Sequence, residues 1–96
     1  MNKNSVAADK RRRQMADTVL KIVVGNKLIK GQDTKASEIR QAFNLSYQNF
    51  DFYIKHARFL NELRERGISI VKDETKNRNF FIIDDKAFKK YKQRDE

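Results

Sequence analysis

Residues 46–66, SYQNFDFYIKHARFLNELRER, contain no glycine and no proline. At about 100° per residue, their apolar side chains cover roughly 220° of a helix circumference, more than the stripe of an ordinary surface helix. We therefore predict one long helix, continuous to at least Phe59, that must be covered by the rest of its domain, by a second copy, or by both. Its polar arc, which begins with Ser46, Tyr47 and Gln48, is the face that we expect a partner to contact.

The composition limits what kind of protein this is. Ninety-six residues allow one domain with a small core. The chain has 22 Lys and Arg against 13 Asp and Glu, a net charge of +9 that favours a polyanionic partner. There is no Cys, which excludes disulfides and thiol chemistry. No apolar run is long enough to span a membrane or to form a signal peptide, so we expect a cytoplasmic protein that does not bind membranes.

No pattern in the sequence predicts catalysis. The glycines are isolated, whereas a phosphate-binding loop needs several together. A single histidine, His56, cannot form a zinc site alone, and the carboxylates alternate with cations as they do in solvated ion pairs. We expect no catalytic residues, no metal and no cofactor.

The N-terminal segment is poor in apolar residues and ends in a run of four cations. We predict a flexible basic arm over residues 1–12, followed by a single domain over residues 13–94. The run Lys10, Arg11, Arg12 and Arg13 fits a nucleic-acid arm, a targeting signal or a solvated tail.

Helical periodicity begins next and is followed by two turns. It predicts helix one over about residues 10–24, with a continuation as far as Ile29 left open. A turn at residues 31–34 should present Asp33 or Thr34 as the N-cap of a short second helix over about residues 35–43. Ser46 is then the predicted N-cap of the long helix.

After Gly67 the periodicity changes from helix to strand. Two apolar runs, within about residues 68–72 and 79–84, flank a polar segment and predict a β-hairpin. Asp84 and Asp85 then begin a last helix, because acidic residues are favoured at helix N-termini. The fold class is therefore a small α+β domain in the order helix, helix, long helix, hairpin, helix.

Residues 36–50, ASEIRQAFNLSYQNF, resemble the helix-turn-helix of winged-helix DNA-binding proteins. The likeness lies in Ser37 at the helix start, Ile39, the turn at residues 44–46, and Phe50. The end of the recognition helix in that family is similar to LRERGI at residues 63–68. The spacing to Gly67 is longer than usual, so the recognition helix is either extended or followed by a separate short helix. The resemblance implies that the hairpin is the wing, whose tip contacts DNA.

The resemblance and the charge together predict a sequence-specific protein that binds double-stranded DNA and is associated with the nucleoid. Its role would be regulatory or in plasmid or phage maintenance, as a repressor or as a replication or partition factor. The amides of Gln48 and Asn49 suit adenine in the major groove, while the arm and wing suit phosphates. The predicted DNA-binding residues are Lys10, Arg11, Arg12, Arg13, Ser46, Tyr47, Gln48, Asn49, Lys55, Lys72, Lys76, Arg78 and Asn79.

Two further predictions concern protein partners. The excess apolar surface of the long helix predicts a homodimer whose interface includes Phe52, Phe59 and Leu63. The alternative function is a protein-protein interaction adaptor of the same fold that uses this apolar flank. RNA also stays open as a ligand, because cations and aromatic residues serve both polymers.

Overall fold

The computed structural model describes residues 3–75 and 77–94, which form five helices and a three-stranded antiparallel sheet. The predicted α+β class is confirmed. The elements are α1 (Lys3–Lys30), β1 (Thr34–Lys35), α2 (Ala36–Ala42), α3 (Tyr47–Lys55), α4 (Ala57–Glu65), β2 (Ile68–Asp73), β3 (Arg78–Ile83) and α5 (Asp85–Arg94).

α1 is much longer than the sequence predicted. It begins at Lys3 rather than near Lys10, so residues 3–12 of the segment predicted as a flexible arm are helical. Part of the reason is tertiary, because the carboxylate of Asp9 pairs with Arg12 within α1, at 2.8 Å, and with Arg58 of α4, at 3.2 Å. Downstream, α1 buries Val19 and two further valines against the core.

The turn predicted before α2 contains a short strand instead. Thr34 is fully buried and pairs with Phe81 of β3, and its hydroxyl accepts a hydrogen bond from the Asn26 amide at 2.9 Å. The N-cap position of α2 is Lys35, which makes no side-chain cap hydrogen bond. The predicted capping role of Asp33 or Thr34 is therefore wrong, since Thr34 is occupied inside the structure.

The predicted long helix is broken at His56. α3 ends at Lys55, and His56 has extended backbone angles, φ −81° and ψ 123°. His56 then begins α4, because its Nδ1 accepts a hydrogen bond from the Arg58 amide at 3.2 Å. The prediction of a helix continuous to Phe59 is wrong, and the alternative of a separate following helix is the one observed.

The break changes the role of the predicted dimer contacts. It lets Phe50 of α3 and Phe59 and Leu63 of α4 face one core, where the last two are each 1% exposed. The wide apolar arc is thus divided between two helices and covered within the domain. Phe59 and Leu63 are corrected from interface residues to core residues, while Phe52 is 60% exposed.

The β-hairpin has the predicted position. β2 and β3 pair antiparallel, with Ile68 opposite Ile83 at one end and Asp73 opposite Arg78 at the other. β1 pairs with the other edge of β3, so the strand order is β1-β3-β2. The central strand therefore joins an early segment of the chain to a late one, and its Phe81 is fully buried in the core.

Two contacts fix α4 to its neighbours. The guanidinium of Arg66 lies between Asp17 of α1, at 2.8 Å, and Glu62 of α4, at 2.9 Å. Burial alone would lower the pKa of Arg66, but the hydrogen bonds to Glu62 and Asp17 outweigh it and raise that pKa above its ordinary value. Gly67 follows with a φ of +77°, and its carbonyl accepts a hydrogen bond from the Asp84 amide that precedes α5.

Candidate nucleic-acid interface

The start of α3 is held as the sequence predicted. The Ser46 hydroxyl accepts a hydrogen bond from the Asn49 amide at 3.2 Å, which confirms Ser46 as the N-cap. Asn44 supplies the preceding turn with a positive φ of 54°, a conformation that asparagine tolerates better than most residues. The Leu45 carbonyl accepts from the Arg40 guanidinium at 3.0 Å, so the turn between α2 and α3 is tied to α2.

A groove of about 810 Å³ lies beside this helix start. Its walls are the beginning of α2, the outer side of α3 and the end of the hairpin. Four of the predicted DNA-binding residues line it together, Tyr47 and Gln48 from α3 with Arg78 and Asn79 from β3. The structure thus brings together two predicted clusters that are well separated along the chain.

The groove also contains residues that were not among the predicted DNA-binding residues. They are Lys35, Ser37, Arg40 and Asn77. Lys35 reaches the groove because it pairs with Phe80, which places the β1 strand beside the hairpin. A two-residue strand leaves no periodic pattern in the sequence, so no signal identified this position. Arg40 had a weak signal, as a cation one turn before the predicted helix-turn-helix corner.

Arg40 supports the aromatic residue at the head of α3. Its guanidinium carbon lies 4.1 Å from the centre of the Tyr47 ring, a cation-π geometry. Tyr47 is 76% exposed, so the stack holds a projecting ring in place. The Arg40 Nε is buried and has no hydrogen-bond partner among the described residues.

The electrostatic balance of the groove is positive. Its charged lining residues are three cations, Lys35, Arg40 and Arg78, and one carboxylate, Asp51. Asp51 pairs with Lys55 at 2.9 Å, one turn further along α3. The charged lining of the groove is therefore net positive beside the polar side chain of Gln48.

Other predicted DNA-binding residues lie outside the groove. Lys10, Arg11 and Arg13 are exposed on α1, but Arg12 is 13% exposed, pairs with Asp9, and has its Nη2 3.3 Å from Nε2 of His56. Since α3 has nine residues, the His56 end is about 13 Å from its start. Arg12 of the basic run thus lies near the end of α3, and none of the four cations lines the groove.

Four wing and helix residues that were predicted to bind DNA do not line the groove or lie outside the described residues. Lys72 is exposed on β2 but does not line the groove, and Lys55 is occupied by Asp51. Asn49 contributes its backbone amide to the Ser46 cap and is not part of the groove lining. Lys76 lies outside the described residues.

Comparison with known proteins gave no match to a family model, to a curated protein or to a solved structure. Over residues 3–75 and 77–94, no three His, Asp or Glu side chains are grouped as metal ligands. None of the helices in that part of the chain has the length and apolar character needed to cross a bilayer.

Proposed function

We propose that this chain is a winged-helix protein that binds double-stranded DNA, with a regulatory role or one in plasmid or phage maintenance. The observation that carries the proposal is the shared groove, where Tyr47 and Gln48 at the start of α3 meet Arg78 and Asn79 of the hairpin. The element order and the sheet order β1-β3-β2 are compatible with this family.

Gln48 is the residue proposed to contact bases. It is exposed in the first turn of α3 and makes no side-chain hydrogen bond within the described part of the chain. Its amide offers a donor and an acceptor together, which match N7 and N6 of adenine in the major groove. Tyr47, held by its stack on Arg40, lies beside it and would restrict how α3 enters the groove.

Cations around Gln48 are proposed to contact phosphates. Arg78 and Lys35 are exposed on two sides of the groove, so they can reach the sugar-phosphate backbones that border a major groove. Lys10, Arg11 and Arg13 would add contacts near the far end of α3. Arg12 is left out of this set, because its side chain is mostly buried and pairs with Asp9.

The test compares cognate and random DNA. The preferred site would first be selected from a random duplex pool, and Gln48→Ala should then cost ~1–3 kcal/mol on that site and little on random DNA. Arg78→Ala should weaken binding to the selected site and to random DNA alike. It should also reduce, by about one unit, the slope of the logarithm of the binding constant against the logarithm of the salt concentration. Gln41→Ala is the matched control, since Gln41 is exposed on α2 and does not line the groove. Equal losses on both DNAs for Gln48→Ala would contradict base contact by α3.

The adaptor alternative and the homodimer now depend mainly on one residue. Phe59 and Leu63 are buried, so only Phe52 of the predicted apolar flank is available to a partner. Unchanged DNA affinity in all the groove variants would favour the adaptor function. Dimerisation stays a prediction, with Phe52 as its remaining contact.

A further inference from the structure

The outer face of α5 is a row of lysines. Lys86, Lys89 and Lys90 fall within an arc of about 100° and are all exposed. The α5 sequence, DKAFKKYKQR, has five cations and one carboxylate. That carboxylate, Asp85, faces Lys27 of α1 at 3.4 Å, and none of the three lysines forms an ion pair within the described residues. This face therefore concentrates uncompensated positive charge.

The opposite side of α5 is used inside the protein. Phe88 lies under the Lys27 ammonium, 5.0 Å from the ring centre, and Tyr91 packs against the core. Ala87 faces Gly67 at the start of β2. Because both aromatic residues are engaged, the outer face has no apolar side chain to insert into a bilayer or to form the centre of a protein interface. A polyanion, which needs only long cations, is the partner that this face fits.

The lysine face is separate from the candidate groove. β3 runs from Arg78 in the groove to Ile83, just before α5, which is about 17 Å for six extended residues. No described residue of α5 lines the groove. The lysine face is therefore not part of the groove, and we take it as accessible when a duplex occupies the groove.

We propose that Lys86, Lys89 and Lys90 bind the phosphate backbone of a second DNA duplex, so that one chain bridges two duplexes. This inference rests on the proposed function of the groove as the first DNA site. The second contact would be independent of sequence, because phosphates carry no base information. It would also be strongly salt-dependent. For three phosphate contacts, the logarithm of the binding constant should fall with the logarithm of the salt concentration with a slope of about −2.7. The affinity for the second duplex should therefore fall about 40-fold between 50 and 200 mM salt.

The experiment is a two-duplex capture assay. The selected site is immobilised, the full chain is added, and retention of a labelled random duplex is measured alongside direct binding of the chain. The wild type should retain the labelled duplex. The triple variant Lys86→Gln, Lys89→Gln, Lys90→Gln should bind the immobilised site within about two-fold of wild type and retain at least ten-fold less labelled duplex, because its groove is intact.

A second triple variant, Lys21→Gln, Lys30→Gln, Arg64→Gln, is the matched control. It removes the same charge from exposed positions dispersed over α1 and α4 and should still retain the labelled duplex. Retention by the α5 variant at the wild-type level, or equal loss in the control, would overturn the proposal. A wild type that binds the immobilised site but retains no second duplex would overturn this inference alone. Failure to bind the immobilised site would overturn the proposed function as well.

Discussion

Gly67 joins α4 to the hairpin, and replacing it with alanine should be the most damaging glycine substitution in this chain. The backbone at Gly67 has a φ of +77°, in the left-handed region, where a Cβ costs roughly 1–2 kcal/mol. The new methyl would also overlap the Ala87 side chain of α5 and would lie 2.8 Å from the Asp84 carboxylate. Neither neighbour can move without disturbing the start of α5, because Asp84 caps that helix by accepting a hydrogen bond from the Ala87 amide at 2.8 Å.

The two other glycines separate these costs. Gly31 has a φ of +64°, but no atom lies within 4 Å of the place that an alanine methyl would take, so Gly31→Ala should cost only the backbone strain of ~1–2 kcal/mol. Gly25 lies inside α1 with ordinary helical geometry and open space, so Gly25→Ala should stabilise by ~0.5–1 kcal/mol. For Gly67→Ala the overlap adds ~1–3 kcal/mol to the strain, for a total of ~2–5 kcal/mol.

Urea denaturation of the three alanine variants measures these free energies. A destabilisation of ~3 kcal/mol should lower the unfolding midpoint by about 1–3 M urea in a domain of this size. Adding Ala87→Gly to Gly67→Ala should restore the stability that is lost through steric overlap. The loss caused by backbone strain at residue 67 should stay. If Gly67→Ala proved no worse than Gly31→Ala, the close packing of α5 against the start of β2 would be refuted.

Substitutions at His56, Phe59 and Phe52 test the helix break and the core. His56→Ala removes the side-chain cap of α4 and should lower the free energy of unfolding by ~1 kcal/mol, as measured in urea. His56→Asn keeps an acceptor at this position and should retain most of that stability. An equal loss of stability in both variants would exclude capping as the role of His56. Phe59→Ala should cost ~3–5 kcal/mol because Phe59 is buried, while Phe52→Ala should change stability by at most about 0.5 kcal/mol. A small loss of stability for Phe59→Ala would contradict its place in the core. Light scattering of wild type and Phe52→Ala then shows whether Phe52 holds two copies of the chain together.

Features encoded by neighbouring residues were predictable from the sequence. Ser46 was identified as an N-cap because a short polar side chain before a helical period is a local pattern. The hairpin followed from the change of period after Gly67, and α5 from its acidic start. The part of the candidate site that depends on these elements, Gln48 with Arg78, was therefore predictable from the sequence alone.

Features that depend on distant partners were not predictable. The helix break at His56 has no glycine or proline to mark it, and its benefit is that Phe50 and Phe59 reach the same core. The start of α1 had too little apolar surface to predict order, and its Asp9 is paired by a residue of α4. Lys35 enters the groove only because β1 pairs with β3.

The strand order β1-β3-β2 also determines when the candidate interface can exist during synthesis. Phe81 packs against Phe50 of α3, with ring centres 6.4 Å apart, and pairs with Thr34 from the other half of the chain. Loop closure between such distant segments is slow compared with forming local helices. While β3 is still inside the ribosome, Phe81 cannot pack against α3 and β1 has no strand to pair with. The groove side of this protein therefore cannot be assembled before β3 is available, and premature termination before β3 leaves a chain without it.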